Sequence, residues 1–249
     1  VTMVGRELPP SSPFAGDDGT CDARLAAVLD AHSRGSSPVA DVVDALAGTR
    51  VLVPVLAELE AADVVEHDGR EHTVDKEASA GIVALQAPDG RTALPVFSSV
   101  ASMAAWRADA RPVPSEIARA ALSAVSEGWE LLVLDPGGPV TVLVPRPAVW
   151  ALAQQRGWEP AVRVSSGGPE VDPVVRAAVT TALAGIPEVR ASDAEPGRRA
   201  EIAAVLTLVP GLDRAHLDAV LAQVNTALAS DDVVTERVDS LELRLRSAG

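Results

Sequence analysis

Apolar and polar positions alternate with two different periods along this chain, and the switches between them mark its elements. Leu25, Val28, Leu29 and His32 recur at helical spacing and stop at Gly35; a second helix is predicted from Val39 to Leu46, ended by Gly48. RVLVPVLA at 50–57 reads as a strand. Its Pro54 cannot donate to a ladder, which predicts an edge or a bulge. EHDGREHTVDKEASA at 66–80 has no period and is read as a loop. GIVALQ and TALPVF flank APDGR, a hairpin signal with Asp89-Gly90 at its tip.

Ser98 or Ser99 is placed to cap a short helix carrying Val100, Met103 and Ala104. Arg111-Pro112 fixes an extended exit, and Pro114-Ser115 are expected to open a helix with Ile117, Ala121, Ala124 and Val125 inward. ELLVLD and VTVLVPR enclose PGGP as a second hairpin, and Pro147 starts a helix through Trp150, Leu152 and Gln155. SSGGPE at 165–170 reads as a linker or exposed loop.

Beyond it, Asp172 and Pro173 fit an N-cap and first turn. VRAS and EIAAVLTLV are strand candidates, and Leu217, Val220, Leu221, Val224 and Leu228 form the cleanest helical stripe. SLELRLR alternates with period two, as a half-exposed strand does. The pattern is α+β in two small domains. The second is α-β-β-α-β, or ferredoxin-like β-α-β-β-α-β if the strand-like EPAVRV at 159–164 joins it.

Composition sharpens this. With 249 residues and 47% apolar, the chain can build a sizeable core, but aromatics are 2% and Tyr is absent, so Val, Leu, Ile and Ala must fill it. A net charge of −14 repels phosphate backbones and anionic lipid, so neither nucleic acid nor membrane is an expected partner. One cysteine, Cys21, permits no internal disulfide. VTMVGRELPPSSPF has no apolar signal core, and no run reaches the ~18 residues of a membrane span; the expectation is a soluble, cytoplasmic protein with a flexible lead over 1–13.

Candidate chemistry is sparse. His67, Asp68, Glu71 and His72 are ligand-type residues, but an aperiodic loop gives them no frame, so no metal or other cofactor is expected. His216 reads as a surface residue and His32 as half-buried in a helix face. Cys21 lies among Asp17, Asp18 and Asp22, whose charge opposes thiolate formation. DPGGP at 135–139 lacks the G-K-S/T end of a phosphate loop. Asp17 and Asp18 suit a turn or cap. Arg111 is expected to pair with a carboxylate or to hold a partner's acidic group. Any site would have to assemble from Asp17, Asp18, Arg111 and Asp135, all in turns beside predicted elements; no catalytic residue is assigned.

FAGDDG, RLAAVLDAH, ALAGTRVLVPV, PDGRTALPVFSS, ARPVP and LVLDPGGPVTVLVPRPAVWALA together resemble the N-terminal domain of the SseB family, named for enhanced serine sensitivity. VVRAAVTTALAGIPEVRA through the last strand is similar to that family's C-terminal domain, so the resemblance covers about residues 14 to 246. It implies domains at 14–157 and 158–249, a cytoplasmic location and no agreed biochemical activity. Some related domains are associated with specialised secretion systems in actinobacteria. The expected function is therefore non-enzymatic protein binding, with a homodimer among the options. The alternatives are a small-molecule binder or enzyme built from those turn residues, or a secretion-associated accessory protein.

Overall fold

The computed structural model describes residues 14–57, 65–67, 70–72, 80–87, 89–165 and 167–246. Helix α1 (Ala23–Ser33) starts at Asp22, whose carboxylate accepts from the N–H groups of Arg24 and Leu25. Helix α2 (Val39–Leu46) follows. His32 Nδ1 lies 2.7 Å from the Ser37 carbonyl, which ties the two helices together. Strand β1 (Arg50–Ala57) is next, then β2 (Val65–His67), β3 (Arg70–His72) and β4 (Ala80–Ile82). The segment read as a loop at 66–80 thus contains a hairpin, with His67 opposite Arg70 and Val65 opposite His72. The sequence offers no period there because three-residue strands are too short to show one.

Strands β5 (Leu85–Gln86) and β6 (Thr92–Val96) form the expected hairpin around Asp89-Gly90. GIVALQ, however, divides between two sheets, because Ala80–Ile82 pairs with β1. Helix α3 (Val100–Trp106) is capped by Ser99, which accepts from Ser102 N–H. Strand β7 (Arg111–Glu116) then runs through Pro114 and Ser115, where a helix start was expected. Ser115 and Glu116 pair with Val51 and Arg50, and that ladder holds the chain extended until α4 (Ile117–Ser126).

Pro54 also departs from expectation: β1 is the central strand of the order β4-β1-β7. Leu52 exchanges both main-chain bonds with Phe97, so residues 52 and 54 direct their amides away from β7. Pairing with β4 begins only at Val55, and Pro54 sits in that gap, where no ladder bond is lost. By the same parity Pro112 and Pro114 turn their amide positions to the outer edge of β7, which blocks that edge to another strand.

Strands β8 (Leu131–Leu134) and β9 (Val142–Val144) flank PGGP and precede α5 (Arg146–Ala153). The sheet order is β5-β6-β8-β9, with β6 and β8 parallel. Of the two readings of SSGGPE, the exposed loop is the one found: it is the tip of a hairpin of β10 (Val162–Ser165) and β11 (Gly168–Val171). Helix α6 (Pro173–Leu183), β12 (Val189–Pro196), β13 (Ile202–Leu208), α7 (Arg214–Ala229), α8 (Asp232–Arg237) and β14 (Leu241–Arg246) complete the chain. The sheet order is β12-β13-β14, the second pair being parallel. Of the two arrangements open from sequence, β10 rules out the ferredoxin-like one, since it pairs with β11 and not with this sheet. The fold is α+β.

Two apolar clusters fill the interior. One joins Leu25, Leu46, Val51, Val96, Ile117, Leu132 and Leu152; the other joins Val175, Leu183, Ile202, Leu206, Val224 and Leu228. Trp158 packs on the first and Ala161 belongs to the second. A third, small cluster of Leu52, Phe97 and Met103 is closed by Trp106, whose ring centroid lies 5.3 Å from that of Phe97.

Candidate functional site

The parallel pair β6 and β8 delivers Ser98 and Asp135 to the same end of the sheet. Asp135 is 6% exposed and Ser98 4%. The Asp135 carboxylate accepts from Ser98 N–H at 2.9 Å and from Ser98 Oγ–H at 2.6 Å. Its main chain takes φ of +49°, a left-handed conformation that Asp tolerates better than most residues. Thr141 Oγ1 and Gly138 N–H donate to its carbonyl, and its own N–H donates to Val96, so the conformation is held from both sides. Burial raises the Asp135 pKa above the ordinary carboxylate value, although the Ser98 bonds oppose the shift.

Arg50 links this pair to the N-terminal turn. Its guanidinium donates to the Ser98 carbonyl at 3.0 Å, to the Thr20 carbonyl at 2.7 Å and to both oxygens of Asp17, at 2.6 and 2.7 Å. Gly19, at φ of +77°, lies so close to Val100 that a Cβ would meet its Cγ2 at 2.6 Å, so only glycine lets the turn seat here. Asp18 closes on Thr20, accepting from its N–H and hydroxyl, and those bonds lower its pKa. Burial pushes the Cys21 thiol up, and Asp135 and Asp22 add to this, which leaves it protonated and poorly nucleophilic at neutral pH.

Of the four residues singled out in the sequence, the structure gathers Asp17 and Asp135 around Arg50 and Ser98. Asp18 is beside them but is occupied by Thr20. Arg111 is elsewhere, exposed on β7 opposite Val55. The cleft between α5 and α8 is lined by none of the four. Among the described residues no His, Cys, Asp and Glu group has metal-site geometry. The side chains of His67, Glu71 and His72, and all of Asp68, lie outside the described residues. His216 is exposed, its Nδ1 2.8 Å from Asp213.

A concavity lies between α5 and α8. It encloses about 520 Å³ and is walled by Trp150, Trp158, Arg146, Gln154, Thr235 and Glu236, among others. Trp150 is 45% exposed, whereas its helix neighbours Ala148, Val149, Ala151 and Leu152 are buried. Helix α5 is apolar on every side, and only the fold shows which side stays open. Arg237, also in the wall, donates to buried Asp172 at 3.1 Å and pairs with Glu159 at 3.3 Å. Burial disfavours ionisation of Asp172, yet the Val174 N–H, Arg237 and Arg163 together hold its pKa below the usual value.

The rim of the cleft is locked by Asp239. Its carboxylate takes Arg91 in a bidentate pair at 2.8 and 3.0 Å and accepts from Arg146 N–H at 3.0 Å. Helix α5 begins at Pro145, which has no capping side chain, so a residue about ninety positions downstream supplies the missing cap. Arg146 returns a bond from its guanidinium to the Val238 carbonyl at 2.7 Å. None of Trp150, Arg91, Arg146 or Asp239 stands out in sequence: each is an ordinary helix or turn residue until the two halves meet.

No helix among the described residues is long and apolar enough to cross a membrane. No curated protein and no solved structure matches the chain. The family model for the SseB protein N-terminal domain matches residues 25–151, just over half of the 249 residues. That span runs from α1 into α5 and includes Arg50, Ser98, Asp135 and Trp150. The chain belongs to the SseB family.

Proposed function

We propose that this SseB-family chain is a non-enzymatic interaction protein of the cytoplasm that seats a segment of a partner protein in the cleft between α5 and α8. The observation that carries the reading is Trp150, a large aromatic left 45% exposed in a concave site that also holds Trp158, in a chain with six aromatic residues in all. Tryptophan in a sheltered pocket is the side chain most often responsible for binding energy at protein interfaces. Arg237 in the wall is already neutralised, and Arg146 is turned to Val238, so neither is free to draw an acidic group into the cleft. The groups around Asp135 are spent on one another, which supports scaffold over catalysis there. A net charge of −14 favours a partner of basic character.

Affinity purification from the native host with the wild-type chain and with Trp150→Ala tests this. A stoichiometric partner is expected with the first and roughly thirty-fold less with the second, the scale of a hot spot worth about 2 kcal/mol. Equal recovery by both sinks the site, and repeated recovery of nothing sinks the interaction. A second reading, a small-molecule site, is favoured by the cleft volume, which falls within the range of about 300–1,000 Å³ usual for ligands. A thermal-shift screen in which hits vanish on Trp150→Ala separates the two.

The second half is proposed to be the family's C-terminal domain, folding as its own unit from residue 158. A fragment over 158–249 is expected to keep the circular dichroism of helices and strands and to melt cooperatively. An unfolded fragment from a folded parent defeats that division.

A further inference from the structure

The sheet β12-β13-β14 ends on β14, and among the described residues no strand pairs with its outer edge. The edge is unusually open. It is six residues long and, unlike β7, contains no proline, glycine or bulge to deter another strand. Leu245 on it is 47% exposed.

The hydrogen-bond parity of this edge follows from its pairing. Ile202 N–H donates to the Ser240 carbonyl at 3.2 Å, and Ile202 faces Leu241 in the parallel register. In a parallel ladder that pattern turns the amides of Glu242, Arg244 and Arg246 toward β13. The N–H and C=O groups of Leu241, Leu243 and Leu245 then point outward. An added antiparallel strand must bond to those three residues.

We propose that the occupant is a second copy of this chain, with the two β14 strands paired antiparallel about a two-fold axis at Leu243. In that register Leu243 faces Leu243 and Leu241 faces Leu245 as hydrogen-bonded pairs. Glu242 faces Arg244, twice, as the closer non-hydrogen-bonded pair, where opposite charges help most. Centring the axis on either neighbour puts Glu242 opposite Glu242 or Arg244 opposite Arg244. The charge pattern therefore selects one register of the strand on itself, and the result is an isologous dimer with a continuous six-stranded sheet. Leu245 then covers Leu241 of the other copy on the face that carries the helices. Arg244 and Glu242 already contact each other at 2.9 Å, and Arg244 reaches Glu195 at 3.1 Å, so the charged row is in place before the second copy arrives.

Sedimentation equilibrium of the full chain in about 0.15 M salt, where the screening length of about 8 Å damps net-charge repulsion, reads the result. The mass is expected to rise with concentration from 25.6 kDa toward twice that value. Leu243→Pro removes an outward N–H and no bond to β13, so it should hold the mass at one chain while circular dichroism stays unchanged. Leu245→Lys, at an exposed edge position, sets a charge against Leu241 of the other copy and should do the same. A wild-type chain that stays single over the whole range overturns the proposal. So does a dimer that survives Leu243→Pro in a folded protein. If Leu243→Pro does not fold, Leu245→Lys decides: a dimer that survives it overturns the proposal.

Discussion

Asp135→Ala is expected to destabilise the protein by about 2–4 kcal/mol. The substitution strands the Ser98 N–H, and a buried donor without an acceptor costs about 1–3 kcal/mol. It also places alanine at φ of +49°, which costs roughly 1 kcal/mol more because Ala lacks the local bonding that lets Asp adopt this conformation. For a chain of this length, that lowers Tm by roughly 5–15 °C. Asp135→Asn behaves differently. Its amide keeps an acceptor for Ser98 N–H, offers a donor to Ser98 Oγ, suits the left-handed backbone and removes a buried charge, so its stability at pH 7 should equal or exceed wild type.

The comparison also has a definite pH sign. The folded-state pKa of Asp135 lies above its ordinary value, so the native state takes up a proton before the unfolded chain does. Wild type should gain on Asp135→Asn as pH falls from neutrality through the folded-state pKa, and the gain should level off below the unfolded value of about 3.9. Thermal melts of both proteins between pH 7 and 4 check this. Wild type losing ground on acidification would mean that the carboxylate is held ionised and that burial does not dominate its environment.

Asp239→Ala is the second large effect, about 2–3 kcal/mol by chemical denaturation. The carboxylate and Arg91 are 12% and 19% exposed, enough solvent to fall short of the ~3–5 kcal/mol lost on breaking a fully buried pair. Two consequences add, since Arg91 keeps only its more exposed partner Asp89 and α5 loses its cap at Arg146 N–H, while relief of the repulsion between Asp239 and buried Glu201 offsets part of the loss. Asp239→Asn should recover part of the loss, because an amide oxygen still caps α5. Arg91→Ala and Asp239→Ala should be clearly non-additive, since one contact is removed in both. Tryptophan emission should shift to the red in Asp239→Ala, as Trp150 lies on the helix that is released and Trp158 just after it. Additive losses with unchanged emission would mean that Asp239 acts on neither α5 nor its cleft.

Most elements of this chain are written in short-range signals. Asp22, Asp172 and Asp213 cap their helices through bonds to amides two or three residues on, and the hairpins around Asp89-Gly90 and PGGP need only local turn chemistry. Spacing alone therefore determined α1, α2, α6, α7 and the α+β class. The failures share a cause as well. At Pro54 and Pro114 a distant partner strand set the conformation: β7 and β4 around β1. Pairing energy across tens of residues outweighed the local preference of proline for an edge or a helix start.

The same division runs through the candidate site. Asp135 and Asp17 could be picked out in sequence as carboxylates in turns, but not their convergence on Ser98 and Arg50, because β6 and β8 lie parallel only after α3, β7 and α4 have crossed over. Trp150 read as one apolar residue among several in α5. Its exposure depends on which face of that helix the first core takes up. Nothing local marks Asp239, just ahead of β14, and only the meeting of the two halves makes it the cap of α5. Sequence by itself determined where the chain bends and which stripes are apolar, since those depend on neighbours along the backbone. The tertiary structure decided which apolar side chain stays outside and which charges end up paired, since those depend on surfaces that exist only once separate elements have packed.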